Sequence, residues 1–323
     1  MKTGAILLVG GKGTRLLPLT LKTPKPMLKV AGVPFTEHQI RKAAAAGIAE
    51  IVLATSYKSE LFEPYFGDGQ KFGIKIKYAV EHSALGTGGG IRNAAKLLSD
   101  CEQVVIFNGD VLSGHNLTGQ IEFHQQKQAD LTLYLTQVED ARAYGCVELI
   151  ENKQIKSFLE KMENPISNLI NAGCYIFNKD VIDQIPADQV VSVERDTFPA
   201  LLAAGRKAFG YLDNSYWLDI GTPAALVKAS ADLVSGVITS LATPKHSQDA
   251  LIFPSAKIGS GSVINKGCVI EDKVVIQSNC QISGSIIGEG AKIGANCKII
   301  DSIIAPGAQI EAGMVVLTNY LGF

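Results

Sequence analysis

The chain has 323 residues, 46% of them apolar, and a formal net charge of −1. That length and apolar content suit a large core in two domains, and near-neutrality excludes nucleic acid as a partner, so any positive potential must be local. Met1-Lys2-Thr3-Gly4 leads straight into five apolar residues, far short of a signal-peptide core or a spanning helix, which excludes the membrane and implies the cytoplasm.

The first of those apolar residues opens the strand Ala5 to Val9, and the glycine-rich stretch Gly10-Gly11-Lys12-Gly13-Thr14-Arg15 follows it. Glycines at 10, 11 and 13 remove the Cβ atoms that would hold a triphosphate off the backbone, so successive N–H groups can grip phosphate oxygens. Arg15 adds a fixed charge, and a plain strand-to-helix turn is the competing reading of the glycines alone. Pro24-Lys25-Pro26-Met27 then presents Lys25 between two prolines, which is expected to be a rigid extended segment holding its ammonium beside the same phosphates. GGKGTRLLPLTLKTPKPM resembles the signature of the sugar-nucleotide pyrophosphorylases, within which the mannose-1-phosphate guanylyltransferases are most similar. It lacks the Gly-Lys-Ser/Thr ending of a P-loop and the spacing of the dinucleotide fingerprint.

Helix is expected from Glu37 to Gly47, strand from Glu50 to Thr55, helix from Ser59 to Phe66, strand from Ile74 to Val80, helix from Thr87 to Leu98 and strand from Val104 to Phe107. The alternation argues for parallel strands joined by crossover helices. Asn108-Gly109-Asp110 closes the last strand, and a carboxylate at the carboxyl end of such a strand stands where open α/β sheets bind ligands.

Between them, Glu81-His82-Ser83-Ala84-Leu85-Gly86 resembles the family's base-reading loop, with Glu81 at the base edge. A carboxylate only accepts hydrogen bonds, and guanine offers adjacent N1–H and N2–H donors, whereas uracil and thymine would oppose it with carbonyls. GTP is therefore the expected nucleotide; capping of the following turn is the other role open to Glu81.

Further on, helix is expected from Thr118 to Gln128 and strands around Leu131 to Val138, Gly145 to Ile150 and Gln154 to Leu159. The resemblance implies that Gly145, Glu160 and Asn171 contact the sugar and that Lys161 grips the sugar phosphate. Met162 replaces the proline that follows this Glu-Lys pair in the family. Val193 to Pro199 resembles another family segment and is read as mainly structural. Tyr216-Trp217-Leu218-Asp219-Ile220-Gly221-Thr222-Pro223 matches the family's Trp-x-Asp-x-Gly-Thr-Pro and supplies a second acidic group. By the same resemblance, Gly10, Gly11, Gly13, Thr14, Glu81 and Gly86 bind nucleotide, Arg15, Lys25 and Lys161 are catalytic, and Asp110 and Asp219 share one Mg²⁺, an ion that takes few protein carboxylates. The six cysteines, Cys101, Cys146, Cys174, Cys268, Cys280 and Cys297, form no CxxC pair and no histidine cluster, so they read as reduced core thiols.

After a helix near Ala224 to Val234 and a polar linker, Ile258, Ile264, Ile270, Ile276 and Ile282 recur every six residues, followed by Ile287, Ile293 and Ile299, then Ile304, Ile310 and Val316. This is a hexapeptide solenoid in which eighteen residues make one three-sided coil and whose open ends must be covered by the catalytic domain or another subunit. The expected architecture is an α/β, Rossmann-like nucleotidyltransferase domain with a mixed, mostly parallel sheet (1–242), a linker (243–250) and a short left-handed parallel β-helix (251–323). The implied reaction joins GTP and mannose 1-phosphate into GDP-mannose and pyrophosphate in a homo-oligomer. Use of UTP or dTTP with glucose 1-phosphate, and a silent sensing subunit, are the alternatives. Acyl transfer by the solenoid lacks a histidine base in the repeats.

Overall fold

The computed structural model describes residues 1–56, 58–81, 83–247 and 249–323, so His82 of the second glycine loop and Gln248 of the linker lie outside the described residues. Two compact units divide the chain: Met1–Gly11 with Gln39–Trp217, and Lys12–His38 with Leu218–Phe323.

The first unit is built on strands β1 (Thr3–Leu8), β2 (Glu50–Thr55), β3 (Lys75–Val80) and β4 (Gln103–Asn108), with helix α1 (Phe35–Ala45) leading into it and α2 (Gly86–Ala95) crossing over. Ala5, Ile6 and Leu7 are fully buried, as a central parallel strand covered on both faces requires. β1 lies between β2 and β4, in parallel to both, with Leu8 beside Asn108. This register sets the end of β1 level with the turn that carries Asp110.

Helix α3 (Leu117–Gln126) is followed by β5 (Leu131–Gln137), β6 (Gly145–Leu149), β7 (Ile155–Glu160), β8 (Leu169–Asn178) and β9 (Ala208–Leu212). The sheet runs β7-β6-β8-β4-β1-β2-β3, with β5 between β8 and β9. β8 is antiparallel to β4, β5 and β6, which makes the sheet mixed.

One expectation needs correction here, and one strand was not anticipated. The helix expected from Ser59 to Phe66 is two short pieces, Ser59–Leu61 and Glu63–Phe66. Pro64 fits the first turn of the second piece, where no N–H is needed, but cannot continue the first. Strand β9, unforeseen, pairs in parallel with β5. The Val193–Thr197 segment is a π-type turn pinned to α2: Thr87 Oγ1 donates to Glu194 at 2.8 Å and accepts from Val193 N–H at 2.8 Å.

The second unit contains the hairpin Lys29–Val30/Val33–Pro34, helix α4 (Pro223–Val234) and the solenoid. Thr222 accepts the Ala225 N–H at 3.2 Å and Pro223 opens the helix, a favourable start. In the solenoid three parallel sheets alternate along the chain, forming the faces of a left-handed β-helix. The isoleucines from 270 to 310 in the repeat are buried, but Ile258 is 38% exposed because its coil is the first. Coil length follows the isoleucine spacing: Ala250 pairs with Cys268, 18 residues on, and where the five-residue steps Ile282 to Ile287 and Ile299 to Ile304 enter a coil, Val269 pairs with Ile286 and Ile286 with Ile303, a repeat of 17. The five-residue steps fall at one corner. There Ser302 N–H donates to Ser285 Oγ and Asn319 N–H to Ser302 Oγ, both at 3.1 Å, so polar side chains link successive coils. All six cysteines are buried free thiols. No helix among the described residues is long and apolar enough to cross a membrane.

Candidate active site

In the first unit the chain leaves β1 through Val9 to Gly10, whose carbonyl accepts Ser56 Oγ–H at 2.7 Å; Gly11 is exposed. Glu81 follows β3 and is half-buried above the helix that Gly86 opens. Its Oε2 accepts the Leu85 N–H at 3.4 Å. Burial pushes its carboxyl pKa up, with the Leu85 hydrogen bond acting the other way. Capping of the turn is therefore present in the structure, with one carboxylate oxygen weakly engaged.

Asp110 stands just past β4. On β8, which pairs with β4, the register shifts between Asn171 and Tyr175, and Gly173 in this bulge has a φ of 78°. The bulge brings Gly173 against the turn: a Cβ there would lie 2.7 Å from Val111 Cγ2. Asn171 Oδ1 accepts the Gly173 N–H at 3.2 Å. Trp217 Nε1–H donates to Ala172 O at 3.0 Å, and its ring meets Tyr144 edge-on at 5.4 Å. Asp110, Asn171 and the aromatic pair thus share one neighbourhood.

Gly145 and Glu160 face each other across β6 and β7; a Cβ on Gly145 would be 2.8 Å from Glu160 Oε2. Burial raises the Glu160 carboxyl pKa, with the neighbouring Lys161 charge opposing it. Lys161 Nζ lies 3.5 Å from Glu160 Oε1, and the Lys161 N–H donates to Tyr144 O at 3.0 Å. Its φ of 54° is left-handed. A following proline would press this residue toward extended backbone, so Met162 is compatible with the observed turn.

In the second unit Gly13 has φ 64° and ψ 41°, a left-handed conformation that a side chain disfavours. A Cβ there would also lie 2.7 Å from Lys25 Cβ. Thr20 Oγ1 and the Leu16 N–H both donate to Gly13 O at 3.0 Å, and Leu16 is fully buried while Thr14 and Arg15 are exposed. The buried leucine anchors the short turn and turns its polar neighbours outward. Lys25 is not on an extended segment: Lys25–Met27 is a 3₁₀ turn closed by Met27 N–H to Pro24 O at 2.8 Å. Pro26 is compatible because first-turn N–H groups make no helical bond. Arg15 and the Asp219 segment meet through Gly221: a Cβ on Gly221 would lie 3.0 Å from both Nη1 and Nη2.

Each unit therefore assembles part of the expected set. Gly10, Gly11, Glu81, Gly86, Asp110, Gly145, Glu160, Lys161 and Asn171 belong to the first, and Gly13, Thr14, Arg15, Lys25 and Asp219 to the second. Three side chains were unassigned by sequence reasoning: Trp217, Tyr144 and Gln39 of α1, which donates to the carbonyls flanking Asp110. A buried polar residue on α1 was the available signal, but only the fold shows which face is buried.

Residues 4–236 match the Nucleotidyl transferase family and residues 246–320 match the GMPPB C-terminal domain. A mannose-1-phosphate guanylyltransferase of Mycobacterium tuberculosis is 48% identical over 289 residues, covering 89% of this chain and 80% of that protein. The mannose-1-phosphate guanylyltransferase catalytic subunit beta of Drosophila melanogaster is 34% identical over 273 residues, covering 80% and 72%. The crystal structure of HddC from Yersinia pseudotuberculosis complexed with GMP-PN is 28% identical with a TM-score of 0.61, covering 72% of this chain and all of that one. With the glycine loop, the carboxylate-tipped strand and the Trp-x-Asp-x-Gly-Thr-Pro segment in place, the chain belongs to the nucleotidyl transferase family.

Proposed function

We propose that this enzyme transfers GMP from GTP to mannose 1-phosphate, releasing pyrophosphate and forming GDP-mannose. The observation that carries the reading is Glu81, a half-buried carboxylate over a glycine-opened helix, because an acceptor-only group matches the two adjacent donors of guanine. The printed names of the two guanylyltransferase relatives support it.

A sugar-phosphate oxygen attacks the α-phosphorus in line as the bond to pyrophosphate breaks. The nucleophile is already anionic, so the protein needs to orient it and offset charge, with no general base. Arg15 and Lys25 neutralise the leaving pyrophosphate, and Lys161 holds the phosphate of the sugar. Gly145 leaves room for the hexose while Glu160 and Asn171 meet its hydroxyls. Gly10, Gly11, Gly13 and Thr14 line the triphosphate, with Gly86 beside the base.

Enzymes of this family use a divalent metal, and we take it to be Mg²⁺ held by Asp110 and Asp219. The oxygen chemistry fits: beside Asp110, Asn108 Oδ1 is buried and has no hydrogen-bond partner among the described residues, and hard oxygen donors suit this ion. When bound, Mg²⁺ supplies charge neutralisation for the phosphate oxygens. We further propose a catalytic domain over 1–242, a linker over 243–250 and an assembly role for 251–323 in a cytoplasmic homo-oligomer.

The test is pyrophosphate release from a grid of four nucleoside triphosphates and several sugar 1-phosphates. GTP with mannose 1-phosphate should give the highest kcat/KM; a preference for UTP or dTTP with glucose 1-phosphate refutes the assignment.

A further inference from the structure

Helix α1 carries two polar residues one turn apart, Gln39 and Lys42, and both reach the segment around Asp110. Gln39 is only 5% exposed. Its Nε2 donates to Asn108 O at 2.7 Å and to Val111 O at 3.3 Å. These carbonyls lie on either side of Gly109-Asp110, so the two N–H bonds of one amide tie together the two ends of the turn. Lys42 Nζ donates to Ser113 O at 2.8 Å and to Ser113 Oγ at 3.2 Å, fixing the chain just beyond. On another side, the β8 bulge at Gly173 meets Val111.

Gln39 Oε1 is buried and accepts no hydrogen bond among the described residues. An unsatisfied buried acceptor weakens a fold, so stability alone does not account for an amide at this position. A glutamate of the same shape would lose both donors when ionised, and an apolar residue would leave both carbonyls unbridged.

We propose that Gln39 is a positioning residue for nucleotidyl transfer: by bridging Asn108 O and Val111 O it presets where the Asp110 carboxylate stands before metal and nucleotide arrive. The proposal rests on the reading of Asp110 as a metal ligand.

The experiment compares Gln39→Leu, Gln39→Glu and Asp110→Asn with the unaltered enzyme. Mn²⁺ affinity is read by electron paramagnetic resonance in the presence of GTP without sugar phosphate. Steady-state rates give kcat and the KM for mannose 1-phosphate, and urea unfolding gives stability. Loss of such a supporting partner weakens metal affinity by roughly 10- to 100-fold. Gln39→Leu and Gln39→Glu should show that loss with a parallel fall in kcat, while the mannose 1-phosphate KM stays within about twofold, because ground-state sugar binding does not use the turn.

Unchanged Mn²⁺ affinity in both Gln39 variants, whatever their stability, overturns the proposal. Asp110→Asn with unchanged Mn²⁺ affinity overturns instead the metal reading beneath it. If the Gln39 variants do not fold, hydrogen exchange of the 105–113 peptide in the unaltered protein decides. Slow exchange with and without Mg²⁺ and GTP supports a preset turn, and fast exchange that slows only when they are added refutes it.

Discussion

The guanidinium of Arg15 lies against Gly221, where a single added methyl carbon would stand 3.0 Å from both of its terminal nitrogens. That contact joins the glycine loop to the segment carrying Asp219, and it explains a glycine whose own φ is not left-handed. Gly221→Ala should fold normally yet push the guanidinium aside. The contact requires the guanidinium to give by only a few tenths of an ångström, and a misplacement of about 1 Å costs about 10²-fold, so kcat/KM should fall by roughly 2- to 10-fold. Circular dichroism and steady-state kinetics check it; wild-type kcat/KM in a folded variant removes Arg15 from its proposed place.

Neutralising either proposed metal ligand should be more severe. Asp110→Asn and Asp219→Asn are each expected to lose roughly 10²-fold or more in kcat, on the scale of removing one electrostatic stabiliser, with urea midpoints near the parent's. Near-normal turnover in both would sink the two-aspartate assignment.

Glu81 links base choice to pH. Burial raises its carboxyl pKa, so as pH falls the acceptor is lost at a higher pH than for an exposed glutamate, and the GTP-to-UTP ratio of kcat/KM should fall with it. Glu81→Gln replaces one acceptor with a donor facing a guanine donor. Its ratio should be reduced at least about tenfold and be flat with pH; hydrogen-bond discrimination can reach about 10⁴ where a buried group is left unpaired. A parent-like ratio in the variant would leave Glu81 with turn capping alone.

Lys42 makes a stability prediction. Burial lowers its pKa to about 8 from 10.5, and its Nζ donates to His115 Nδ1 at 3.0 Å. Burial, with the Lys42 charge beside it, also holds the His115 pKa well below its ordinary value. Between pH 8 and 10.5 the unfolded chain retains a proton that the folded chain has released, so the Lys42 contribution to stability rises with pH across that window. Relative to Lys42→Met, the parent should gain up to about 1.4 kcal/mol per pH unit there. Urea unfolding at pH 7.5, 8.5 and 9.5 measures the difference; a gap that is constant with pH refutes it.

Much of this was legible because it is written in short-range pattern. Strand β2 was expected at its observed ends, and Asp110 was placed by the apolar run before it. The solenoid and its 17-residue repeat followed from isoleucine spacing with its two five-residue steps, although the exposure of Ile258 depends on which coil comes first. Lys25 shows where local reasoning stops: two prolines permit both an extended run and a 3₁₀ turn, and the packing of Gly13 against Lys25 accompanies the turn. The contact of Arg15 with Gly221 and the reach of Gln39 to Asn108 join residues far apart in the chain, which no periodicity records.

The coil pairing also bears on how the chain acquires its structure. Every paired residue in the solenoid finds its partner 17 or 18 positions away, whereas Thr3 must wait for Gln103 and Leu131 for Ala208. Loop closure is therefore repetitive and short in the solenoid, and long in the sheet that precedes it. The solenoid can zip up coil by coil, each completed triangle templating the next, so the slow step of folding belongs to the mixed sheet.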